Sequence, residues 1–101
     1  MELRFLYRPR GGKTVEALLV LGEDCRVRDV AFTGDFFVYP DWVLEALEER
    51  LRGCSSRDCI ASAFHWAAEN GRPLGFTWTG LMERLVEEWE QACRHAAQKP
   101  R

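Results

Sequence analysis

The sequence predicts an α+β fold in which a three-stranded antiparallel meander sheet is covered on one face by about three helices, as a two-layer sandwich. Two observations predict it. Apolar and polar residues alternate over the first third of the chain, whereas apolar residues recur at three- and four-residue spacing after Pro40. Short turns join the alternating segments, so successive strands pair antiparallel and the helices that follow cover the same sheet.

The first third of the chain alternates as strands separated by turns. The predicted strands are residues 2–8, 13–21 and 26–33. Proline and paired glycines mark the turn at residues 9–12, and a second turn falls at residues 22–25. The third strand breaks strict alternation, which a β-bulge near Arg28 and Asp29 would restore. The apolar residues expected to share the inner face are Leu3, Phe5, Tyr7, Val15, Ala17, Leu19 and Leu21.

Two helices are predicted between Asp41 and Gly71. Asp41 is expected to be the N-cap of the first helix, which ends at Gly53. Ser55, followed three residues later by Asp58, is typical of a capping box and begins the second helix. The residues predicted to face inward are Leu44, Leu47, Leu51, Cys59, Ile60, Ala63, Phe64 and Ala67.

A third helix is predicted after a loop or short extended piece at residues 72–78. Thr79 is expected to cap it, and residues 98–101 are expected to fray at the chain end. Its predicted inward residues are Leu81, Leu85, Trp89, Cys93 and Ala96. We therefore predict one domain over residues 1–97 followed by a short tail.

Composition excludes several classes of function. The 101 residues carry a formal net charge of −2, so the chain lacks the basic excess that nucleic-acid binding needs. No apolar stretch approaches the roughly 18 residues that cross a bilayer. Residues 1–4 also lack the basic-then-apolar order of a secretory signal. We expect a cytoplasmic protein that binds neither nucleic acid nor membrane.

The turn Gly11-Gly12-Lys13 is a candidate anion site. It is similar to the end of a phosphate-binding P-loop, but Tyr7 stands where the first glycine of that motif belongs, and the segment joins two strands rather than a strand and a helix. A nucleoside triphosphatase is therefore excluded. Lys13 still places a compact cation beside the exposed N–H groups of a glycine turn, which suits a phosphate or a carboxylate. An ordinary solvated lysine at a strand end explains the pattern equally well.

Cysteine spacing offers a second candidate site. Cys54-x4-Cys59-x5-His65 is too loose for a usual structural zinc site, and Cys59 and His65 point to different sides of one helix. Cys54 and Cys59 are more simply two buried or partly exposed thiols, with a short-range disulfide as the next alternative. Pairing among the four cysteines, which also include Cys25 and Cys93, is left open.

The string Gly34-Asp35-Phe36-Phe37 is the most unusual in the chain. Two adjacent phenylalanines cannot face the same side of an extended segment. One ring would then be buried while the other faces out or lines an interface. Alternatively, both rings pack beneath the first helix while Asp35 caps a turn, which composition alone favours.

These strings resemble one family when they are taken together. Arg10-Gly11-Gly12-Lys13, a hairpin, Thr33-Gly34-Asp35-Phe36-Phe37 and a helix ending at Gly53 closely resemble the accessory domain of lipoate–protein ligases. That domain commonly follows a catalytic domain, and in some archaea it is a separate small subunit. The sequence departs from the family at Cys25, where a glycine is usual, so Cys25 adopts a positive φ or the turn shifts to Gly22-Glu23.

The resemblance implies an accessory role. The family activates lipoate with ATP to lipoyl-adenylate and transfers the lipoyl group to a lysine of a carrier domain. This chain would bind no cofactor alone and would not catalyse alone; lipoate, ATP and Mg²⁺ would be held with a catalytic partner subunit. By the match, Gly11, Gly12 and Lys13 face the mouth of the partner's active site. Gly34, Asp35, Phe36 and Phe37 support or contact that partner.

A rival comes from the same fold, which also resembles that of iron–sulfur scaffold proteins. The stretch from Cys54 to Ala63 is faintly similar to the cysteine-containing segment of those scaffolds. A cluster would use Cys54 and Cys59 and needs a further thiolate, but Thr33 precedes Gly34-Asp35 where those scaffolds have cysteine. An interaction module with no role in lipoylation is the third alternative.

Overall fold

The computed structural model describes residues 1–97, with side chains through His95. The predicted tail at residues 98–101 and the side chain of Ala96 lie outside the described residues, and the predicted domain boundary stays a prediction. The order of elements is β1 (Glu2–Tyr7), β2 (Val15–Leu21), β3 (Val27–Gly34), β4 (Phe37–Tyr39), α1 (Trp42–Leu51), α2 (Arg57–Asn70), β5 (Arg72–Leu74) and α3 (Trp78–Ala97).

Strands β1, β2 and β3 form the predicted antiparallel meander, in that order. The alternate residues of β2 are the centre of the inner face, because Val15, Ala17 and Leu19 are completely buried. Arg28 is the extra residue of the predicted β-bulge: Val20 pairs with Asp29 and Leu21 pairs with Val27, so no residue of β2 opposes it.

The helices cover one face of this sheet, which confirms the α+β prediction. Helix α1 packs on β3 and α2, α2 packs on α3, and α3 reaches β1. Among the described residues, no helix is both long enough and apolar enough to span a membrane. The predicted inward residues of the helices are buried or half-buried in most cases: Leu44, Leu47, Leu51, Ile60, Ala63, Phe64, Ala67, Leu81, Leu85, Trp89 and Cys93.

The predicted start of α1 is confirmed, because Asp41 occupies the N-cap position, whereas the predicted starts of α2 and α3 are wrong by one and two residues. The side chain of Asp41 makes no capping hydrogen bond to α1. Helix α2 is capped by Ser56 rather than Ser55, because the Ser56 hydroxyl accepts from the Cys59 N–H at 3.1 Å. Thr79 lies inside the first turn of α3, not at its cap.

Thr77 caps α3 instead. Its hydroxyl oxygen accepts from the Gly80 N–H at 3.0 Å, and its carbonyl accepts from the Leu81 N–H. The helix starts early because Trp78 is buried and its indole N–H donates to the Gly71 carbonyl at 3.0 Å. A tertiary contact therefore selects between two threonines that are both capable of capping.

Cys54 and Cys59 are joined by a disulfide, so the preference for free thiols is wrong for this pair. Cys54 is buried, whereas Cys59 is exposed and not inward as predicted. The cause is local: Cys59 lies in the first turn of α2, and its sulfur is bonded to Cys54 in the segment before the helix. Cys25 and Cys93 are free and half-buried.

A second, two-stranded sheet was not predicted. Strands β4 and β5 pair antiparallel, with Phe37 opposite Leu74, Val38 opposite Pro73, and Tyr39 opposite Arg72. Strand β5 falls in the segment that the sequence leaves as a loop or short extended piece. We call this pair of strands the β4–β5 ribbon.

Candidate functional site

The candidate site is built on the turn between β1 and β2. The Gly12 N–H donates to the Pro9 carbonyl at 2.9 Å, which closes a β-turn with Gly11 at its third position. Gly11 has φ +72°, a conformation that this turn type requires and glycine adopts without strain. The Arg8 guanidinium donates to the Gly12 carbonyl at 3.2 Å and braces the turn from outside.

The turn is packed against the loop that follows β5. The Lys13 N–H donates to the Gly75 carbonyl at 2.7 Å. A Cβ at Gly12 would lie 2.5 Å from the Gly75 oxygen, and a Cβ at Gly75 would lie 2.8 Å from Cγ of Lys13. Glycine is therefore needed at position 12 for the close approach to the Gly75 carbonyl, and at position 75 for contact with the Lys13 side chain and for a φ of +103°.

Gly34 brings the second predicted string to the same place. A Cβ at Gly34 would collide with the carbonyl oxygen of Thr14, next to Lys13, and would meet the Phe36 ring at 3.1 Å. Phe36 is buried, whereas Phe37 is 72% exposed. The alternative with one ring in and one ring out is therefore confirmed, and the one that buries both rings is wrong.

Aromatic rings in edge-to-face contact lie beneath the turn between β1 and β2. Phe36 meets Phe76 edge-to-face at 5.0 Å between ring centroids, and Phe76 meets Trp78 at 5.2 Å. Trp78 in turn contacts Phe64 of α2 at 6.4 Å. Edge-to-face rings of this kind add stability beyond the area that they bury. The backbone at Gly34 and Gly75, which packs against the glycine turn, is therefore connected to the core through a row of contacting rings.

We name the cluster of Gly11, Gly12, Lys13, Gly34 and Gly75 the glycine tip. The structure brings the predicted residues Gly11, Gly12 and Lys13 together with Gly34, Asp35, Phe36 and Phe37. Sequence reasoning missed Gly75 and Phe76, which complete the contact. A signal existed, because Gly75-Phe76 is a second glycine–phenylalanine pair in a chain where Gly34 is followed closely by Phe36.

The surface around the glycine tip carries cations without acidic partners. Arg8, Arg10 and Lys13 are exposed, and none of them makes an ion pair with any described residue. Several arginines elsewhere are paired at short range, as in Arg52–Asp29 at 3.0 Å and Arg57–Glu90 at 3.1 Å. The N–H groups of Gly12 and Lys13 are already bonded to carbonyls, so the expectation that they are exposed to an anion is wrong. The exposed cations themselves favour the approach of an anion.

Tyr7 joins the tip to the start of α3. Its hydroxyl lies 3.4 Å from the hydroxyl of Thr77, the α3 cap. A Cβ at Gly80 would collide with the Tyr7 hydroxyl, so the packing of Tyr7 against α3 requires glycine at position 80. The end of β1 and the start of α3 are thereby held together, next to the loop on which the turn rests.

The cysteines do not converge on one centre. Cys54 is bonded to Cys59, while Cys25 and Cys93 contact each other elsewhere, between the β2–β3 turn and α3. Burial, followed by a hydrogen bond with Cys25, raises the pKa of Cys93 to about 12. Within residues 1–97, three or more histidine, cysteine or acidic side chains do not come together as a metal site would require.

Cys25 stands in the second turn at the position where the resembling family usually has glycine. It adopts φ +63°, so the turn does not shift to Gly22-Glu23. The Trp89 indole N–H donates to the Cys25 carbonyl at 2.9 Å, and the Cys25 N–H donates to the Gly22 carbonyl at 3.0 Å. These two bonds hold a non-glycine residue in a left-handed conformation that is otherwise unfavourable.

Comparison with known proteins gives one structural relative. The solved structure is of an archaeal lipoylation system from Thermoplasma acidophilum, a bipartite lipoate protein ligase and its E2 lipoyl domain. One chain of that structure aligns with a TM-score of 0.63 at 22% sequence identity, covering 82% of this chain and 92% of that chain. The likeness shows a shared fold. No protein-family model and no curated protein matches this sequence.

Proposed function

We propose that this chain is the non-catalytic accessory subunit of a two-part lipoate–protein ligase. It acts with a catalytic subunit in the ATP-dependent activation of lipoate to lipoyl-adenylate, before the lipoyl group is transferred to a lysine of a lipoyl carrier domain. The two subunits form a heterodimer in the cytoplasm. The carrier domain is an indirect partner, because it receives its lipoyl group from the catalytic subunit.

The likeness to a chain of the archaeal lipoylation system supports this proposal. The two chains have similar lengths, because 82% of this one aligns with 92% of the other. The matched unit is therefore a small chain in a system that its solved structure describes as bipartite. The same family resemblance was reached from the glycine–lysine and glycine–phenylalanine strings, which do not depend on the structural comparison.

The observation that carries the proposal is the packing of the Lys13 turn on Gly75, beside Gly34. Two strings distant in sequence, both suggested by the family resemblance, meet in one rigid and cationic surface feature. The hydrogen bond to Gly75 fixes the backbone of Lys13, so its exposed ammonium group extends from a defined position and less conformational freedom is lost when it binds a phosphate. Lys13 is the residue we assign to the phosphate of the adenylate.

The remaining residues divide into supporting and contacting roles. Gly11, Gly12 and Gly34 allow the backbone approaches that fix the turn, and the buried Phe36 anchors the segment beneath it. Phe37 and Asp35 are exposed and contact the partner. This chain itself supplies no catalytic residue. When the partner closes, the tip helps to exclude water from a mixed anhydride that would otherwise hydrolyse.

The substrates belong to the assembled pair. Lipoate, ATP and Mg²⁺ are held with the catalytic subunit, and this chain binds none of them alone. Its contribution is a cation presented at the edge of a site built by another protein. Isolated chain therefore should not consume ATP in the presence of lipoate.

Reconstitution with a catalytic ligase subunit from the same organism tests the proposal. Purified chain is added to that subunit with ATP, Mg²⁺ and lipoate, and pyrophosphate release is followed. We expect release that depends on this chain. Release at the same rate without the chain would overturn the accessory role, and release by the chain alone would overturn its non-catalytic assignment.

The scaffold alternative gains no support from the geometry. Its two proposed ligands, Cys54 and Cys59, are bonded to each other, and the other two cysteines contact each other at another position. Reduction followed by incubation with iron and sulfide gives a direct check. Charge-transfer absorbance that is lost in Cys54→Ser would favour the scaffold over the ligase subunit.

A further inference from the structure

The outer face of the β4–β5 ribbon is apolar. Phe37 opposes Leu74, and Tyr39 opposes Arg72, so these four side chains lie on one face of the ribbon. Val38 points to the other face, where it is buried. On the outer face Phe37 is 72% exposed, Tyr39 75% and Leu74 53%. Two cross-strand pairs thus present three large apolar side chains to solvent.

Such a concentration is unusual for the surface of a small domain. Singly exposed apolar residues need no explanation, but adjacent ones mark an interaction surface. Among the described residues, six large hydrophobic side chains are markedly exposed, and three of them are on this one face. Tyrosine and phenylalanine are also enriched in protein interfaces relative to the rest of the surface.

Cations lie at both ends of this apolar face. Arg72 is at one end, opposite Tyr39. Lys13 is at the other, because its side chain lies against Gly75, the residue directly after Leu74. Neither cation makes an ion pair with a described residue. The face therefore fits a surface that is apolar in the middle and anionic at both edges, with a carboxylate opposite Arg72 and the bound phosphate near Lys13.

A second copy of this chain does not meet that requirement. In a contact with its two-fold axis through the centre of this face, Arg72 of one copy would meet Lys13 of the other. Like charges brought together in this way cost free energy that a small apolar contact does not recover. The fitting occupant is a different protein.

We propose that the outer face of the β4–β5 ribbon docks the catalytic ligase subunit, on an apolar patch with a carboxylate opposite Arg72. This inference rests on the proposed function and extends it to Tyr39, Arg72 and Leu74, which no sequence motif singled out. The ribbon leads directly into Gly75, on which the Lys13 turn rests. Docking there positions the glycine tip at the partner's site.

The test measures the affinity of the catalytic subunit for the full chain and its variants by calorimetric titration. Tyr39→Ser and Leu74→Ser should each weaken binding about tenfold, as lost interface anchors do. Arg72→Glu should weaken it comparably, with a loss that shrinks at high salt because the contact is electrostatic. All three side chains are exposed, so circular dichroism and melting should match wild type.

Matched controls use surface residues elsewhere. Leu6→Ser removes another side chain that is 59% exposed, on β1. Arg94→Glu reverses an exposed charge in the last turn of α3, far along a 20-residue helix from the tip. Both should bind as wild type does.

The outcomes separate the two proposals. If wild type supports lipoate activation but the ribbon variants bind as tightly as the controls, the ribbon proposal is overturned and the proposed function stands. If wild type neither binds nor activates the catalytic subunit, both are overturned. A concentration-dependent dimer, seen by sedimentation and abolished by Leu74→Ser, would identify a second copy as the occupant and also overturn the ribbon proposal.

Discussion

Replacing Gly12 by alanine tests whether the glycine tip is held as rigidly as its geometry indicates. The added Cβ would lie 2.5 Å from the Gly75 carbonyl oxygen and equally close to Cγ of Pro9, whereas ordinary contact begins at 3.4 Å. The turn must therefore move by about 1 Å, which also breaks the hydrogen bond from Lys13 to Gly75. Overpacking costs about 1–3 kcal/mol and the lost bond about 0.5–1.5 kcal/mol.

We therefore expect Gly12→Ala to lower the free energy of unfolding by about 2–4 kcal/mol. The neighbouring Gly11→Ala is a matched control, because its Cβ would meet nothing within 4 Å and only the left-handed φ is strained. That strain costs about 1–2 kcal/mol and leaves the contact with Gly75 in place. Urea unfolding followed by tryptophan fluorescence gives both values. A Gly12→Ala protein as stable as Gly11→Ala would refute the close packing of the turn on Gly75.

Three further predictions address the remaining assignments. Lys13→Ala should slow pyrophosphate release in the reconstituted ligase but leave transfer from preformed lipoyl-adenylate largely intact; equal loss of both steps would contradict the assignment of Lys13 to activation. Phe37→Ala should reduce affinity for the catalytic subunit by about 1–3 kcal/mol, as removal of an exposed aromatic anchor does, and an unchanged titration would remove Phe37 from the interface. Burial, followed by a hydrogen bond with Cys25, raises the pKa of Cys93 to about 12, so much less of this thiol is ionised at pH 8 in the native protein than in the unfolded chain. Its alkylation by iodoacetamide at pH 8 should therefore be far slower in native buffer than in urea, as mass spectrometry of the Cys93 peptide would show; equal rates would contradict the shielding of that thiol.

The three-stranded sheet and the helices were predictable because each strand or helix is long enough to show a repeating pattern of apolar residues. Alternation over residues 2–8 and the aliphatic run of β2 indicated strands, and the break in β3 identified the bulge at Arg28. The β4–β5 ribbon was missed because its strands have only three residues each, too few to show a period. Their pairing joins segments on either side of α1 and α2, which no local pattern encodes.

The wrong predictions for the caps of α2 and α3 and for the pairing of Cys54 with Cys59 have a common origin. Ser55 and Ser56 are equally able to cap α2, and Thr77 and Thr79 are both able to cap α3, so propensity alone does not choose between them. The burial of Trp78 decides the second case. Whether a cysteine pairs likewise depends on how the chain brings two sulfurs together, which spacing permits but does not require.

The candidate site could be predicted in part because its glycines are tied to backbone geometry. Gly11 is needed for a positive φ, and Gly12 and Gly34 are needed where another carbonyl approaches. The string around Gly11 and Gly12 and the string that begins at Gly34 could therefore be recognised in the sequence. Their convergence was not predicted, because it is mediated by Gly75, which belongs to a loop distant in sequence.

Combining the Gly12 and Lys13 substitutions shows whether the packed turn acts by positioning Lys13 or by contacting the partner through its own backbone. If Gly12 acts by fixing the position of Lys13, the double variant should activate lipoate no more slowly than Lys13→Ala alone, because the group being positioned is already gone. If the turn contacts the partner through its own backbone, the two losses should multiply. An ordinary solvated lysine at a strand end predicts neither result, since its removal alone would leave activation unchanged. The double-mutant cycle therefore distinguishes a positioned cation from a fortuitous one even though both substitutions lie on the same turn.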